Sequence, residues 1–149
     1  MNVIVADQYK EMTDETLISD ILHLAMQKLG RSNTICEVVI EGDQFVRNLN
    51  NRYRGINRTT DVLSFEANVV DPATNQIVLG ELIISAPQVK KHAEERGIRF
   101  EDELAVVLIH GLLHLHGMDH ADETGKKTMW AVQGDILKSI GVDVGAHPR

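Results

Sequence analysis

From Leu104 to Leu115 nine of twelve positions are Leu, Ile, Val or Ala, and the exceptions are His110, Gly111 and His114. A helix this uniformly apolar has no solvent face, so it must lie at the centre of the molecule with other elements packed around it. Two imidazoles inside it demand a reason, because a buried polar group left without a partner costs on the order of 1–3 kcal/mol. His110, His114, His116 and His120 are four of the chain's seven histidines and fall within eleven residues.

Imidazole is the commonest metal ligand, and residues four apart on a helix share a face one turn apart. His110 and His114 have that relation. Gly117 is expected to end the helix in the left-handed conformation, which folds the chain back and brings His120 to the same ion. Three neutral donors with an open fourth position describe a catalytic zinc rather than a structural one, and other divalent transition metals accept the same donors. His116 lies about 200° from His114 around the helix and cannot join them while the helix persists. It is read as packed or at the surface. His23, His92 and His147 carry no spacing signal. Asp119 suits a hydrogen bond to a ligating imidazole or a helix cap, and Asp102 and Glu103 suit the positive end of the helix dipole. Trp130 reads as core or rim.

Around this helix the sequence predicts a short strand over 2–6 and a helix over 14–29, capped by Thr13 and stopped at Gly30. A strand with Cys36, Val38 and Ile40 on one face follows, so the single cysteine is a buried thiol rather than a nucleophile. Asp43 caps a helix to about Tyr53, with Phe45, Val46, Leu49 and Tyr53 inward and Arg47, Asn50 and Arg54 on the opposite face. Strands over 61–65 and 77–85 flank the turn cluster at 71–75. Ser85 opens a helix ending at Gly97, the histidine helix runs over 101–116, and a last helix over 122–140 ends at Gly141. The fold class is α+β: a small mixed sheet of about four strands against about five helices, with a central apolar metal-binding helix. Residues 1–149 make one domain, with 142–149 a frayed tail.

No segment has the roughly 18 uninterrupted apolar residues a membrane span requires, and no signal peptide is apparent, so a cytoplasmic protein with no membrane partner is expected. Net charge is −7, which excludes a surface that coats nucleic acid throughout. The distribution is uneven. Arg47, Arg52, Arg54 and Arg58 are half of the arginines, and 44–60 contains no Asp or Glu, so one edge can accept a polyanion.

Zinc peptidases carry a glutamate general base directly after the first histidine of their motif. Gly111 stands there. What remains is a metal-bound water acidified to a pKa of about 7, and an arginine-rich helix whose guanidinium groups pair with phosphate oxygens and stabilise developing charge. Together these indicate a phosphodiester substrate. The nucleophile stays open between metal hydroxide and a ribose 2′-hydroxyl.

The segments Asn48–Gly55 (NLNNRYRG), Thr60–Phe65 (TDVLSF), Leu79–Ser85 (LGELIIS) and His110–His120 (HGLLHLHGMDH) resemble the bacterial YbeY endoribonucleases, also called ribosomal RNA maturation factors. The resemblance implies a zinc-dependent, single-strand-specific endoribonuclease of the cytoplasm. It would act in maturation of the small-subunit RNA 3′ end and in ribosome quality control, with the small ribosomal subunit as partner and no DNA. Carried over by position, the family's zinc ligands fall on His110, His114 and His120, and its functional arginine on Arg54; Arg54 and His114 are the expected catalytic residues. Three positions depart from the family pattern: Glu81 for an aspartate, Glu66 for a proline and Asp102 for a basic residue. Two other readings fit the residues: a metal-dependent hydrolase of a peptide or small phosphoester, and a non-catalytic ribosome-binding module held together by zinc.

Overall fold

Alternation of apolar residues yields four strands and the 3.6-residue period yields five α-helices among the described residues. Their order is β1 (Asn2–Val5), α1 (Glu15–Lys28), β2 (Thr34–Glu41), α2 (Asp43–Arg54), β3 (Val62–Val70), β4 (Ile77–Ser85), α3 (Ala86–Arg96), α4 (Phe100–Leu115) and α5 (Glu123–Ser139). The structure, a computed structural model, describes residues 1–118 and 121–142. Asp119, His120, His147 and the expected tail beyond Val142 lie outside the described residues. None of the described helices is long and apolar enough to cross a membrane.

The strands form one mixed sheet in the order β1-β2-β4-β3. β1 and β4 each run parallel to β2, and β3 returns antiparallel to β4, leaving β3 as an edge. The two-residue period of β4 sorts its side chains between two cores. Leu82 and Ile84 enter the main core with α1 and α4, whereas Ile83 packs with Val46 of α2 and Leu63 of β3. The sheet thus carries α2 on one face and α1 and α4 on the other. In β2, Cys36, Val38 and Ile40 are fully buried, as the alternation predicts.

α4 touches α1, α3, α5, β3 and β4, and every residue from Glu103 to Leu113 is buried. Gly111 is what lets α4 approach the sheet: a Cβ there would lie 2.8 Å from Leu82 Cδ2 and 3.4 Å from Val62 Cγ2. The absence of a side chain after His110 is therefore a packing requirement as well as a chemical fact.

Several local expectations are corrected. The cap of α1 is Asp14, whose carboxylate accepts from the Leu17 N–H at 2.8 Å, in place of Thr13. Gly42 precedes α2 as its cap residue, so Asp43 is its first helical residue. Asp43 Oδ1 instead accepts from Ser85 Oγ (2.7 Å), Gln88 Nε2 (3.1 Å) and Thr59 Oγ1 (3.3 Å). β3 continues past Phe65 to Val70 across an irregularity at 66–69, because β4 offers it partners as far as Ile77. Phe45 and Tyr53 do not face inward: they are 44% and 60% exposed. α2 overlies the sheet only along a narrow line and buries Val46 and Asn50 alone. Asn50 in turn leaves the polar face and donates through Nδ2 to the Arg58 carbonyl at 2.9 Å, fastening the loop after α2.

Two glycine substitutions should act in opposite directions. Gly111→Ala forces α4 and Leu82 apart and should destabilise by about 1–3 kcal/mol. Gly134→Ala, within α5 with nothing near its Cβ position, should stabilise by about 0.4–1 kcal/mol through lower unfolded-chain entropy and better helix propensity. Thermal denaturation of both variants checks the signs. Burial also pushes the Cys36 thiol up to about 12 from an ordinary value near 9. Its contribution to stability is thus complete below pH 9 and is lost as pH rises from there toward 12. Thiol reagents at pH 8 should modify Cys36 only at the rate of unfolding.

Candidate active site

Four helical turns of apolar packing hold His110 and His114 in one stripe of α4. Their Nε2 atoms converge to 3.1 Å, with ring planes at 78°. A tetrahedral zinc with 2.0–2.1 Å bonds to nitrogen needs neighbouring donors about 3.3 Å apart, so the pair fits one ion. Behind it, Gln133 Oε1 of α5 lies 3.0 Å from His110 Nδ1. With Oε1 accepting from Nδ1–H, the lone pair of His110 belongs to Nε2 and points at His114, the tautomer a metal ligand requires. The helix then ends as predicted. Gly117 adopts φ +85°, its N–H donates to the His114 carbonyl and the Met118 N–H to the Leu113 carbonyl, a double bond pattern that reverses the chain. His116 points elsewhere, its Nδ1 donating to the Leu112 carbonyl at 2.9 Å while burial lowers its pKa. His120, the third expected ligand, lies outside the described residues.

His110, His114, Gly117 and Met118 form one wall of an open cleft of about 660 Å³ whose other lining includes Arg54, Asp61, Ser64, Glu66, His92 and Arg96. Arg54 arrives from the last turn of α2, which closes on Gly55 in the left-handed conformation (φ +69°). Its guanidinium donates through Nη2 to the Ser64 carbonyl at 2.8 Å and rests over the Phe65 ring at 5.6 Å. Ser64 and Glu66 line the cleft, whereas Leu63 and Phe65 face α2. Arg54 therefore bridges the edge of β3 from one face of the sheet to the other. The structure brings together the histidine pair and the arginine, which stand 56 residues apart in the sequence (Arg54 to His110).

Two residues of the cleft lining, Asp61 and His92, belong with the buried Glu103 to a group that sequence reasoning missed. Asp61, His92 and Glu103 place ligand atoms within 4.8 Å of one another and could hold a metal ion. His92 Nδ1 is 3.3 Å from Asp61 Oδ2, and Arg96 Nη1 is 3.3 Å from Glu103 Oε2. Glu103 is not merely a dipole partner at the start of α4: it is wholly buried, and burial raises its pKa against the opposing pull of Arg96 and then His92. A signal existed, since Glu103 lies seven residues before His110 and so on the same helical stripe. His92 offered none, because its partners come from a loop and another helix.

Of Glu66, Glu81 and Asp102, only Glu66 lines the cleft. Asp102 pairs with Arg99 at 3.2 and 3.3 Å at the surface. Glu81 is paired in register with Glu37 of β2, and burial, then that neighbouring charge, raises its pKa.

Comparison with known proteins places the chain in a family. A family model described as endoribonuclease YbeY matches residues 3–141. The chain is 38% identical over 136 residues to the endoribonuclease YbeY of Shouchella clausii, covering 85% of each chain. It is 37% identical over 138 residues to that of Halalkalibacterium halodurans, covering 86% of this chain and 87% of the relative. A solution structure of a Thermotoga maritima protein superimposes with a TM-score of 0.64 at 26% identity, covering 93% of this chain and 87% of the other. The chain belongs to the endoribonuclease YbeY family of enzymes.

Proposed function

We propose that the protein is a zinc-dependent hydrolase that cuts single-stranded RNA internally, acting in the cytoplasm on ribosomal RNA at the 3′ end of the small-subunit RNA and in ribosome quality control, with the small ribosomal subunit as partner. The observation that carries the reading is the convergence of the His110 and His114 Nε2 atoms at 3.1 Å in a cleft shared with Arg54. The name carried by its relatives supplies the reaction, endonucleolytic cleavage of RNA.

His110, His114 and His120 would hold the metal, and another divalent transition metal could replace zinc on the same donors. When bound, the ion supplies Lewis-acid polarisation and an acidified water. Gln133 keeps His110 in the ligating tautomer, and a ligating imidazole without such a partner typically loses ten- to a hundredfold in metal affinity. Arg54 spends one of its five N–H donors on Ser64, and the planar fork suits a phosphate oxygen pair as charge builds during displacement. Peptide hydrolysis is disfavoured: Gly111 supplies no general base, and its contact with Leu82 leaves no room for one. The histidine site is preferred over Asp61, His92 and Glu103 because Glu103 already has the Arg96 cation beside it.

Metal analysis combined with cleavage of an unstructured RNA tests the whole assignment. Wild type should carry one zinc per chain and cut RNA. His114→Ala should lose both metal and cleavage, Arg54→Ala should keep zinc and lose cleavage, and Asp61→Asn should keep its zinc. Robust cleavage by His114→Ala would overturn the reading. Gln133→Ala should weaken zinc binding by about ten- to a hundredfold in a chelator competition.

A further inference from the structure

Six aromatic residues make up 4% of this chain, and two of them, exposed Tyr53 and half-buried Phe65, form a pair beside Arg54. Tyr53 and Phe65 meet edge to face, ring centroids 5.7 Å apart at 70°. Tyr53 is 60% exposed although α2 could have turned it inward, and the Arg52 guanidinium lies 5.4 Å from its ring centre. Arg54 lies over Phe65 at 5.6 Å while also lining the cleft. The pair sits on the α2 side of the β3 edge and the histidines on the other, with Arg54 joining the two.

We propose that Tyr53 and Phe65 form a stacking subsite for one base of a single-stranded RNA, the nucleotide neighbouring the phosphate that Arg54 engages; this rests on the endoribonuclease reading above. Three observations support a nucleic-acid occupant. Each ring has a guanidinium group against it, Arg52 at Tyr53 and Arg54 at Phe65, and positive charge beside π surfaces is the combination that holds a single strand. Residues 44–60 carry no acidic side chain to repel a backbone. The contact with Phe65 restrains the Tyr53 ring, so less side-chain freedom is lost when a base stacks on it. A base paired within a helix cannot present its face to such a surface, whereas an unstacked base can. The subsite thus selects single strands by geometry. It reads no sequence, because every base has a face to stack.

The test is steady-state cleavage of a short unstructured RNA and of a set of the same RNA each lacking one base. Base stacking on an aromatic ring is worth about 1–3 kcal/mol, so Tyr53→Ala should raise KM about tenfold with kcat within twofold, at an unchanged thermal midpoint. Tyr53→Phe should restore KM. For wild type, loss of one base next to the cut should raise KM by a similar factor, and for Tyr53→Ala that same loss should have no further effect. Unchanged KM in Tyr53→Ala, or wild-type indifference to every base removed, would overturn the subsite while cleavage itself upholds the nuclease reading. Failure of wild type to cut any single-stranded RNA would overturn both.

Discussion

The burial of α4 is the constraint on which the rest of the molecule depends. A helix with no solvent face must be enclosed, and here α1, α3, α5 and two strands enclose it. Each fully buried leucine or isoleucine contributes roughly 1.5–3 kcal/mol by leaving water, so the helix is firmly held. His110 and His114 inherit that rigidity. Gly111 sets the distance between helix and sheet through its contact with Leu82, and that distance fixes where the imidazoles stand relative to the β3 edge and to Arg54. One missing side chain thus governs both the packing of the core and the width of the cleft.

Charge is distributed to the same end. The body is acidic, with a net charge of −7, and its arginines gather where the polymer would enter. A polyanion is repelled by most of the surface and attracted by one edge, which orients it before contact, an effect that weakens with salt. Within the cleft the signs are mixed: Arg54 and Arg96 stand among Asp61, Glu66 and Glu95. The arginine that bridges the strand edge is therefore not part of a uniform basic surface, and its contribution is local and directional.

What the sequence disclosed follows from the range of each interaction. α4, the alternation of β2, the left-handed stops at Gly30, Gly97 and Gly117 and the histidine spacing all rest on neighbours within about a turn, and they could be read directly. Arg54 stood out as one of four arginines in an acid-free stretch and through the family resemblance, but its place in the same cleft as the histidines came only with the chain folded. The misreadings have a shared cause. Asp43 resembles a cap, yet its carboxylate serves residues up to 45 positions away. Tyr53 resembles a core residue on periodicity, yet it is left largely exposed, with the Phe65 ring meeting it edge to face. His92 and Glu103 come together through α3 and α4, a tertiary contact with no local signature.

The three donors on Asp43 Oδ1 have a mechanical meaning. Thr59 belongs to the loop leading into β3, Ser85 to the end of β4, and Gln88 to α3, while Asp43 itself begins the helix that carries Arg54. A single oxygen atom thus joins the segments that supply the arginine, His92 and Asp61. Walls tied in this way are held in register before any substrate arrives, so little ordering remains to be done on binding. For the proposed RNA substrate, discrimination would then fall on its own pliancy: a chain that can bend to the groove would be admitted, and a stiff one left outside.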